Sequence, residues 1–158
     1  MTSPETRLTW EPTFPELERL IDANLNRLKE GIRVIEDIAR YFHNDQQLTA
    51  TLKALRHDLQ TAYRIERLTF RDIEGDVQKR SIPSEQKRSG IGDLIIANFS
   101  RAEESARVLE EVFKLQDLAL SEHFKSIRYR LYGIEKRYAE QFYKTLGVAS
   151  TSRTSNSK

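Results

Sequence analysis

One stretch of sixteen residues occurs twice in this chain. Residues 23–38 read ANLNRLKEGIRVIEDI, and residues 97–112 read ANFSRAEESARVLEEV. At an offset of 74 residues, seven of the sixteen positions are identical, where ordinary composition predicts about one. An internal repeat constrains the architecture strongly, because both copies are expected to form the same local structure. The identical residues are Ala23, Asn24, Arg27, Glu30, Arg33, Val34 and Glu36, which recur as Ala97, Asn98, Arg101, Glu104, Arg107, Val108 and Glu110.

The first copy of the repeat lies within a predicted amphipathic helix. Thr13 and Glu16 are spaced like a capping box, and Pro15 lies in the first turn, so the helix is expected to begin near Thr13. Its apolar residues then recur alternately three and four positions apart, up to Phe42. This spacing is typical of a helix packed in a bundle and differs from the alternation of a strand. The helix is expected to end near residues 43–45.

Three further helices follow from the same period. The second spans residues 48–62, and the third repeats the first over residues 95–113. The fourth is expected to begin with Ser121 as its cap and to end at Gly147. It resembles the second helix at an offset of 72 residues. The recurring residues are Leu48, Lys53, Arg56 and Leu59, which return as Leu120, Lys125, Arg128 and Leu131.

The duplicated unit is therefore a helical hairpin. Hairpins over residues 14–68 and 91–146 predict an all-α fold, a four-helix bundle with approximate two-fold internal symmetry. Residues 1–146 would form one domain. The connection over residues 69–90 is longer than helix pairs need, and such connections are often functional. Residues 147–158 are small and polar and are expected to be disordered.

Composition excludes several classes of function. The chain of 158 residues has no cysteine, so neither disulfides nor thiolate chemistry is available. No signal-like stretch or run of ~18 apolar residues occurs, and we expect a cytoplasmic protein without membrane contact. The arginine- and tyrosine-rich fourth helix raises nucleic-acid binding as an alternative. A net charge of only +2 argues against it.

The polar residues retained in the repeat admit two interpretations. A ladder of surface ion pairs would give each helix about 0.2–0.5 kcal/mol per pair. Yet Arg27, Glu30 and Arg33 lie off the apolar seam and recur unchanged, whereas weak surface pairs tolerate Lys for Arg. The second interpretation is anion recognition, because arginine presents a planar fork of donors to phosphate or carboxylate. Asn24 and Asn98 could then hydrogen-bond a heterocycle.

The unrepeated connection contains a second group of polar residues. Arg71 and Asp72 precede Gly75 and Asp76, which places two carboxylates and a cation beside a glycine. Phosphoryl transfer uses carboxylates for Mg²⁺ and cations for the phosphate oxygens. Taken alone this motif is a weak signal, and a solvated turn is the commoner explanation of such residues. Because the connection occurs once, we expect it to distinguish the two repeats and to cover one of them.

These motifs together resemble a known family. ANLNRLKEGIRVIEDIARYF, KALRHDL, RDIEGDV and ANFSRAEESARVLEEVFKL are similar to the hydroxymethylpyrimidine-phosphate kinase domain of thiamine biosynthesis, over roughly residues 17–138. In some bacteria this domain is fused to the N-terminus of thiamine-phosphate synthase. The resemblance implies an ATP- and Mg²⁺-dependent phosphotransferase acting on a pyrimidine phosphate. The 158 residues are too few for the synthase's own barrel, which needs about 250.

The resemblance also implies roles for individual residues. Arg71, Asp76 and Arg101 would be catalytic, and Asp72 with Asp76 would hold the metal. The substrate- or nucleotide-binding residues would be Asn24, Arg27, Glu30, Arg33, Arg88, Asn98, Glu104 and Arg107.

The chain departs from the family in the connection. The family loop has the pattern GDxGT, whereas Gln78 and Lys79 follow Val77 here. Loss of a glycine and a hydroxyl beside a phosphate would lower activity. An alternative is therefore a non-catalytic helical module that associates with thiamine-phosphate synthase, and a homodimer is a further possible assembly.

Overall fold

Four α-helices account for most of the described chain. The computed structural model describes residues 13–79 and 88–144, and all regular secondary structure in those two ranges is helical. The α-helices are α1 (Pro15–Asp37), α2 (Gln46–His57), α3 (Ile91–Phe113) and α4 (Leu118–Phe142). A π-helical turn (Ile38–Phe42) follows α1, and 3₁₀-helical segments (Asp58–Ala62 and Ile65–Phe70) follow α2. No helix in these ranges is long and apolar enough to span a bilayer.

Some sequence predictions fall on residues that the structure does not describe. The predicted disordered tail, residues 147–158, lies outside the described residues. The same is true of residues 80–87 in the long connection. Helix α4 ends at Phe142, five residues before the end predicted at Gly147.

The predicted apolar seams form the core, with one exception. All the seam residues of α2, α3 and α4 are buried, and so are those of α1 up to Ala39. Phe42 was expected to continue the seam but is 53% exposed. The π-helical turn explains the error, because its extra residue per turn rotates the following side chains out of the α-helical register. Ile38 is buried there instead.

Both predicted N-caps are wrong. Helix α1 begins at Pro15 with Phe14 as its N-cap, because a residue before proline favours the extended conformation seen at Phe14. Thr13 instead donates to the Glu18 carboxylate. Helix α4 begins before Ser121, because the Asp117 side chain accepts hydrogen bonds from the first backbone N–H groups.

Helices α1 and α3, which carry the repeated sequence, pack directly against each other and run antiparallel. Near one end, Gln116 Nε2 donates to Glu18 Oε1 over 2.6 Å. Farther along, Gly31 of α1 lies against Asn98 and Ala102 of α3. A Cβ atom at Gly31 would lie 3.2 Å from the Asn98 carbonyl oxygen and 3.4 Å from Ala102 Cβ. The absence of a side chain therefore allows the two backbones to approach closely at this crossing.

Helix α4 lies beside α3 and also contacts the α2 side of the fold. Arg130 Nη1 donates to Asp58 Oδ2 over 2.7 Å, and Gln141 Nε2 donates to Asp45 Oδ2 over 3.2 Å. Residue numbers rise along α4 from Arg130 to Gln141 but fall from Asp58 to Asp45 on the α2 side, so the two segments run antiparallel.

The two hairpins are each held together by an equivalent ion pair. In the first, Arg56 Nε donates to Glu36 Oε2 over 2.7 Å, which joins α2 to α1. In the second, Arg128 Nε donates to Glu110 Oε2 over 3.0 Å, which joins α4 to α3. Both carboxylates are buried. The recurrence of these four residues in the sequence therefore reflects the same contact made twice.

Glu18 is the centre of a polar network that occurs once. It is fully buried, and Arg67 Nε donates to its Oε2 atom over 2.7 Å. Arg67, itself buried, also donates to the Ala62 carbonyl and lies over the Phe113 ring. Together with the hydrogen bond from Gln116, these contacts fasten the Ile65–Phe70 segment to both α1 and the end of α3.

Substitution at Gly31 tests the close crossing. We expect Gly31→Leu to lower the free energy of unfolding by about 1–3 kcal/mol, because the new side chain has no space against α3. Gly133 in α4 is the matched control, since a Cβ atom at that position would have no other group within 4 Å. Gly133→Leu should be neutral or stabilising by up to about 1 kcal/mol, because leucine favours helix. Equal effects in urea denaturation would contradict the close approach.

Substitution at Glu18 tests the buried network. Glu18→Ala leaves the Arg67 charge buried without its carboxylate, and we expect a loss of about 3–5 kcal/mol in unfolding free energy. The double variant Glu18→Leu/Arg67→Met should recover much of that loss, because it removes both charges. Lys114→Gln, which breaks an exposed pair with Glu111, should cost less than about 1 kcal/mol. If the double variant were as unstable as Glu18→Ala, uncompensated charge would not be the cause.

Candidate functional site

The retained polar residues of the repeat separate into a buried and an exposed group. Asn24 and Asn98 are buried, at 6% and 9% exposure. Each donates its side-chain amide to the carbonyl four residues earlier, over 3.0 Å to Leu20 and 2.8 Å to Leu94. One donor of each side-chain amide is therefore engaged within its own helix.

The exposed group contains Arg27 and Glu30 in α1 and their equivalents Arg101 and Glu104 in α3. Within residues 13–79 and 88–144, none of the four forms an ion pair. The proposed ladder of surface ion pairs is thus not present at these positions. Arg27 lies one helical turn from Gly31, and Arg101 is next to Ala102. Both arginines are therefore close to the α1–α3 crossing.

The second pair of equivalent arginines is Arg33 and Arg107, and each lines a pocket. Arg33 pairs with Asp37 over 3.2 Å and lines a pocket of about 510 Å³ between α1 and α2. Arg107 pairs with Glu110 and Glu111 over 3.4 and 3.3 Å. It lines a second pocket, of about 430 Å³, whose other residues are Ser100, Glu103, Glu104 and Tyr132.

Arg71 of the long connection is bound to α1. Its Nε donates to Asp22 Oδ2 over 2.5 Å and its Nη2 to Asp22 Oδ1 over 3.1 Å. Hydrogen bonding to this carboxylate raises the pKa of Arg71. Asp22 was not predicted as a site residue, because the two side chains are 49 positions apart and no local pattern connects them. The described start of the connection therefore contacts α1, the helix of the first repeat.

Tyr63 lies beside this ion pair and was also not predicted. Its hydroxyl donates to the Leu25 carbonyl over 3.1 Å, and Lys29 Nζ is 5.3 Å from its ring centroid. Burial raises the pKa of Tyr63 to about 12, and the charges of Asp22 and Glu30 add to that effect. Tyr63 therefore remains a neutral hydrogen-bond donor at physiological pH. Tyr63 therefore lies within electrostatic range of Glu30 in the exposed group and of Arg71 at the start of the long connection.

Asp72 and Asp76 are exposed and shape the connection itself. Asp72 Oδ1 accepts a hydrogen bond from the Gly75 N–H over 2.7 Å, and Asp76 Oδ1 accepts one from the Gln78 N–H over 2.9 Å. A Cβ atom at position 75 would overlap the Asp72 carboxylate, so a larger residue there would displace that side chain from its present position. In the described ranges, no three His, Cys, Asp or Glu residues are grouped to hold a metal. Arg88 is exposed at the start of the second range.

Comparison with known proteins gives related sequences for most of the chain. A thiamine-phosphate synthase of Nostoc sp. is 42% identical over 118 residues, which cover 74% of this chain and 34% of that protein. The one from Thermosynechococcus vestitus is 40% identical over 121 residues, with 76% and 34% covered. The one from Rhodopirellula baltica is 37% identical over 140 residues, with 85% and 36% covered. The chain thus spans about a third of the length of these relatives.

No solved structure matches the chain. The family profile that matches it is that of the ThiD2 family, and the match extends over residues 19–137. These residues include both copies of the repeat, the connection between them and nearly all of α4. The chain belongs to the ThiD2 family.

Proposed function

We propose that the protein is a kinase of thiamine biosynthesis that converts 4-amino-5-hydroxymethyl-2-methylpyrimidine phosphate to its diphosphate with ATP and Mg²⁺. Membership of the ThiD2 family and relatives named thiamine-phosphate synthase support a place in thiamine biosynthesis. The resemblance of the repeated motifs to the pyrimidine-phosphate kinase domain supports the phosphotransferase activity. The structure contributes the arrangement of charged residues around the α1–α3 crossing.

One observation carries the proposal. Arg27 and Arg101 occupy equivalent positions in the two repeats, lie close to the same helix crossing and form no ion pair within the described ranges. An exposed arginine without an ionic partner adds little to stability, whereas its planar fork suits phosphate oxygens. Two such arginines beside one crossing would supply positive charge to both a phosphate donor and a phosphate acceptor.

The reaction assigns different tasks to these side chains. A phosphate oxygen of the pyrimidine monophosphate attacks the γ-phosphorus of ATP, the bond from that phosphorus to the β,γ-bridging oxygen breaks, and ADP leaves. Arg101 and Arg27 would hold the oxygens of the transferred group, where negative charge is distributed in the transition state. Arg71, oriented by Asp22, would contact a second phosphate, and Asp76 would orient the attacking oxygen.

Asp72 and Asp76 fit a magnesium site of the kind that nucleotides complete. Mg²⁺ is commonly bound by one or two protein carboxylates together with substrate phosphates and water. Each of these aspartates has one oxygen bonded to a backbone N–H, which helps to orient the carboxylate. When bound with ATP, Mg²⁺ would neutralise charge on the phosphates.

We also propose that the two hairpins form a four-helix bundle with an approximate internal two-fold axis. Support comes from the antiparallel packing of α1 against α3 and from the equivalent pairs Glu36–Arg56 and Glu110–Arg128. A two-fold axis would make the two repeats equivalent, yet donor and acceptor must be distinguished. We propose that the connection supplies that difference, because Arg71 and the Asp72 carbonyl at its start bind α1.

The second candidate is a non-catalytic module that associates with thiamine-phosphate synthase. The observation that favours it is the length of the relatives, of which this chain matches only about a third. The change from GDxGT to a sequence with Gln78 and Lys79 in the connection also fits this alternative. It requires binding to the synthase and no formation of diphosphate from the pyrimidine monophosphate.

An activity assay tests the proposed kinase. Purified protein with Mg-ATP and the pyrimidine monophosphate should form the diphosphate and ADP in equal amounts, and EDTA should abolish the reaction. Arg101→Ala should lower kcat/KM by at least about 10²-fold, because an arginine on a transferring phosphoryl group contributes strongly to the rate. Asp76→Ala should lower activity comparably.

Arg137→Ala is the matched control, since Arg137 is an exposed arginine of α4 outside the proposed site. It should retain the activity of the unmodified protein. Unchanged diphosphate formation in both Arg101→Ala and Asp76→Ala would contradict the assigned roles. Absence of any diphosphate with the unmodified protein, together with binding to thiamine-phosphate synthase, would favour the non-catalytic module.

A further inference from the structure

The pocket between α1 and α2 carries an excess of positive charge. Its volume of about 510 Å³ lies within the range of small-molecule sites, about 300–1,000 Å³. Four cationic side chains and two carboxylates line it, which leaves a net charge of +2. The cationic residues are Arg33, Arg40, Lys53 and Arg56, and the acidic residues are Glu36 and Asp45.

Both carboxylates of this pocket are already occupied. Arg56 donates twice to Glu36, over 2.7 and 3.2 Å. Asp45 caps α2 by accepting from the Leu48 N–H over 2.9 Å, and its other oxygen accepts from Gln141 over 3.2 Å. The acidic groups therefore cannot neutralise the remaining cations without giving up contacts that hold the fold together.

Two of the cations have no ionic partner within residues 13–79 and 88–144. The Arg40 guanidinium lies 4.8 Å from the centroid of the Tyr41 ring and forms no ion pair there, and Lys53 is exposed without one. Arg33 adds a third cation, whose pair with Asp37 is about half exposed and therefore weak. These three side chains can turn toward an anion at little cost.

The equivalent position in the second hairpin is neutralised. Lys114, which corresponds to Arg40, bonds to Glu111 over 2.8 Å, and Glu111 also pairs with Arg107. The difference coincides with the backbone, because Arg40 lies in the π-helical turn that changes the direction of its side chain. π-Helical turns occur frequently at functional sites. The two hairpins are thus similar in sequence but differ in how many cations they leave available.

We propose that the pocket between α1 and α2 is a further site, which binds the oligophosphate chain of a nucleoside triphosphate apart from the residues assigned above to phosphoryl transfer. Three available cations on a rigid hairpin suit a ligand that carries several adjacent negative charges better than a single phosphate. The identity of the ligand as a nucleotide rests on the proposed kinase function, whereas the oligophosphate chemistry rests on the pocket alone.

Isothermal titration calorimetry of the full chain, with inorganic triphosphate and ATP as probes and no pyrimidine present, tests this assignment. Lys53→Gln should weaken the binding of both probes by roughly tenfold, because it removes one charge-assisted contact to phosphate. Lys125→Gln is the matched control, since Lys125 is the exposed equivalent of Lys53 in the second hairpin. It should bind both probes like the unmodified protein. Arg40→Gln should weaken binding like Lys53→Gln, and thermal unfolding should show that all variants are folded.

Equal weakening by Lys53→Gln and Lys125→Gln would overturn the proposal, because the effect would then come from general surface charge. Binding of inorganic phosphate as tight as that of triphosphate would overturn it as well. The diphosphate assay separates this inference from the proposed function. Triphosphate binding that depends on Lys53 in a protein without kinase activity would support the pocket and refute the kinase. An active kinase whose Lys53→Gln variant binds triphosphate normally would refute the pocket alone.

Discussion

The close packing of α1 against α3 is the contact on which the rest of the structure depends. Two helices of 23 residues each, both carrying the repeated sequence, cross where Gly31 lies against Asn98 and Ala102. Each of these helices also holds its own hairpin partner through a buried glutamate. Gly31 therefore sets the distance between the two hairpins, because it has no side chain to hold the helices apart. The same distance determines how Arg27 and Arg101 are placed.

The sequence predicted the helices and their apolar faces well, because apolar residues that recur every three or four positions lie on one face of a helix and that face is buried. It failed where a contact joins distant positions or where the backbone leaves regular geometry. Phe42 left the seam because of the π-helical turn, and the partnership of Arg71 with Asp22 spans 49 residues. The buried pair Glu18–Arg67 likewise has no local pattern, since each residue alone resembles ordinary surface charge.

The candidate site was only partly predictable for a related reason. The repeat identified polar residues that recur, but recurrence alone does not distinguish structural pairs from residues available to a ligand. Glu36 and Glu110 recur because each closes a hairpin, whereas Arg27 and Arg101 recur without an ionic partner in the described ranges. Structural residues differ from available ones in their burial and in their ion-pair partners, and both properties are known only from the three-dimensional structure. Arg40 was not singled out in the sequence, and Lys53 was noted only as a recurring residue, because only their surroundings in the pocket make these two cations unusual.

The Glu18 network has a consequence for how the two hairpins find each other. A chain made of two similar hairpins can associate with a second copy through the wrong pair, joining like with like. The position equivalent to Glu18 in the second hairpin is Gly92, which has no side chain to accept a hydrogen bond. Glu18 accepts the hydrogen bond from Gln116 only when a first hairpin packs against a second one. In a pairing of two first hairpins, each Glu18 would keep its bond to Arg67 but lose the one from Gln116, so that pairing would lack a hydrogen bond that the present one has.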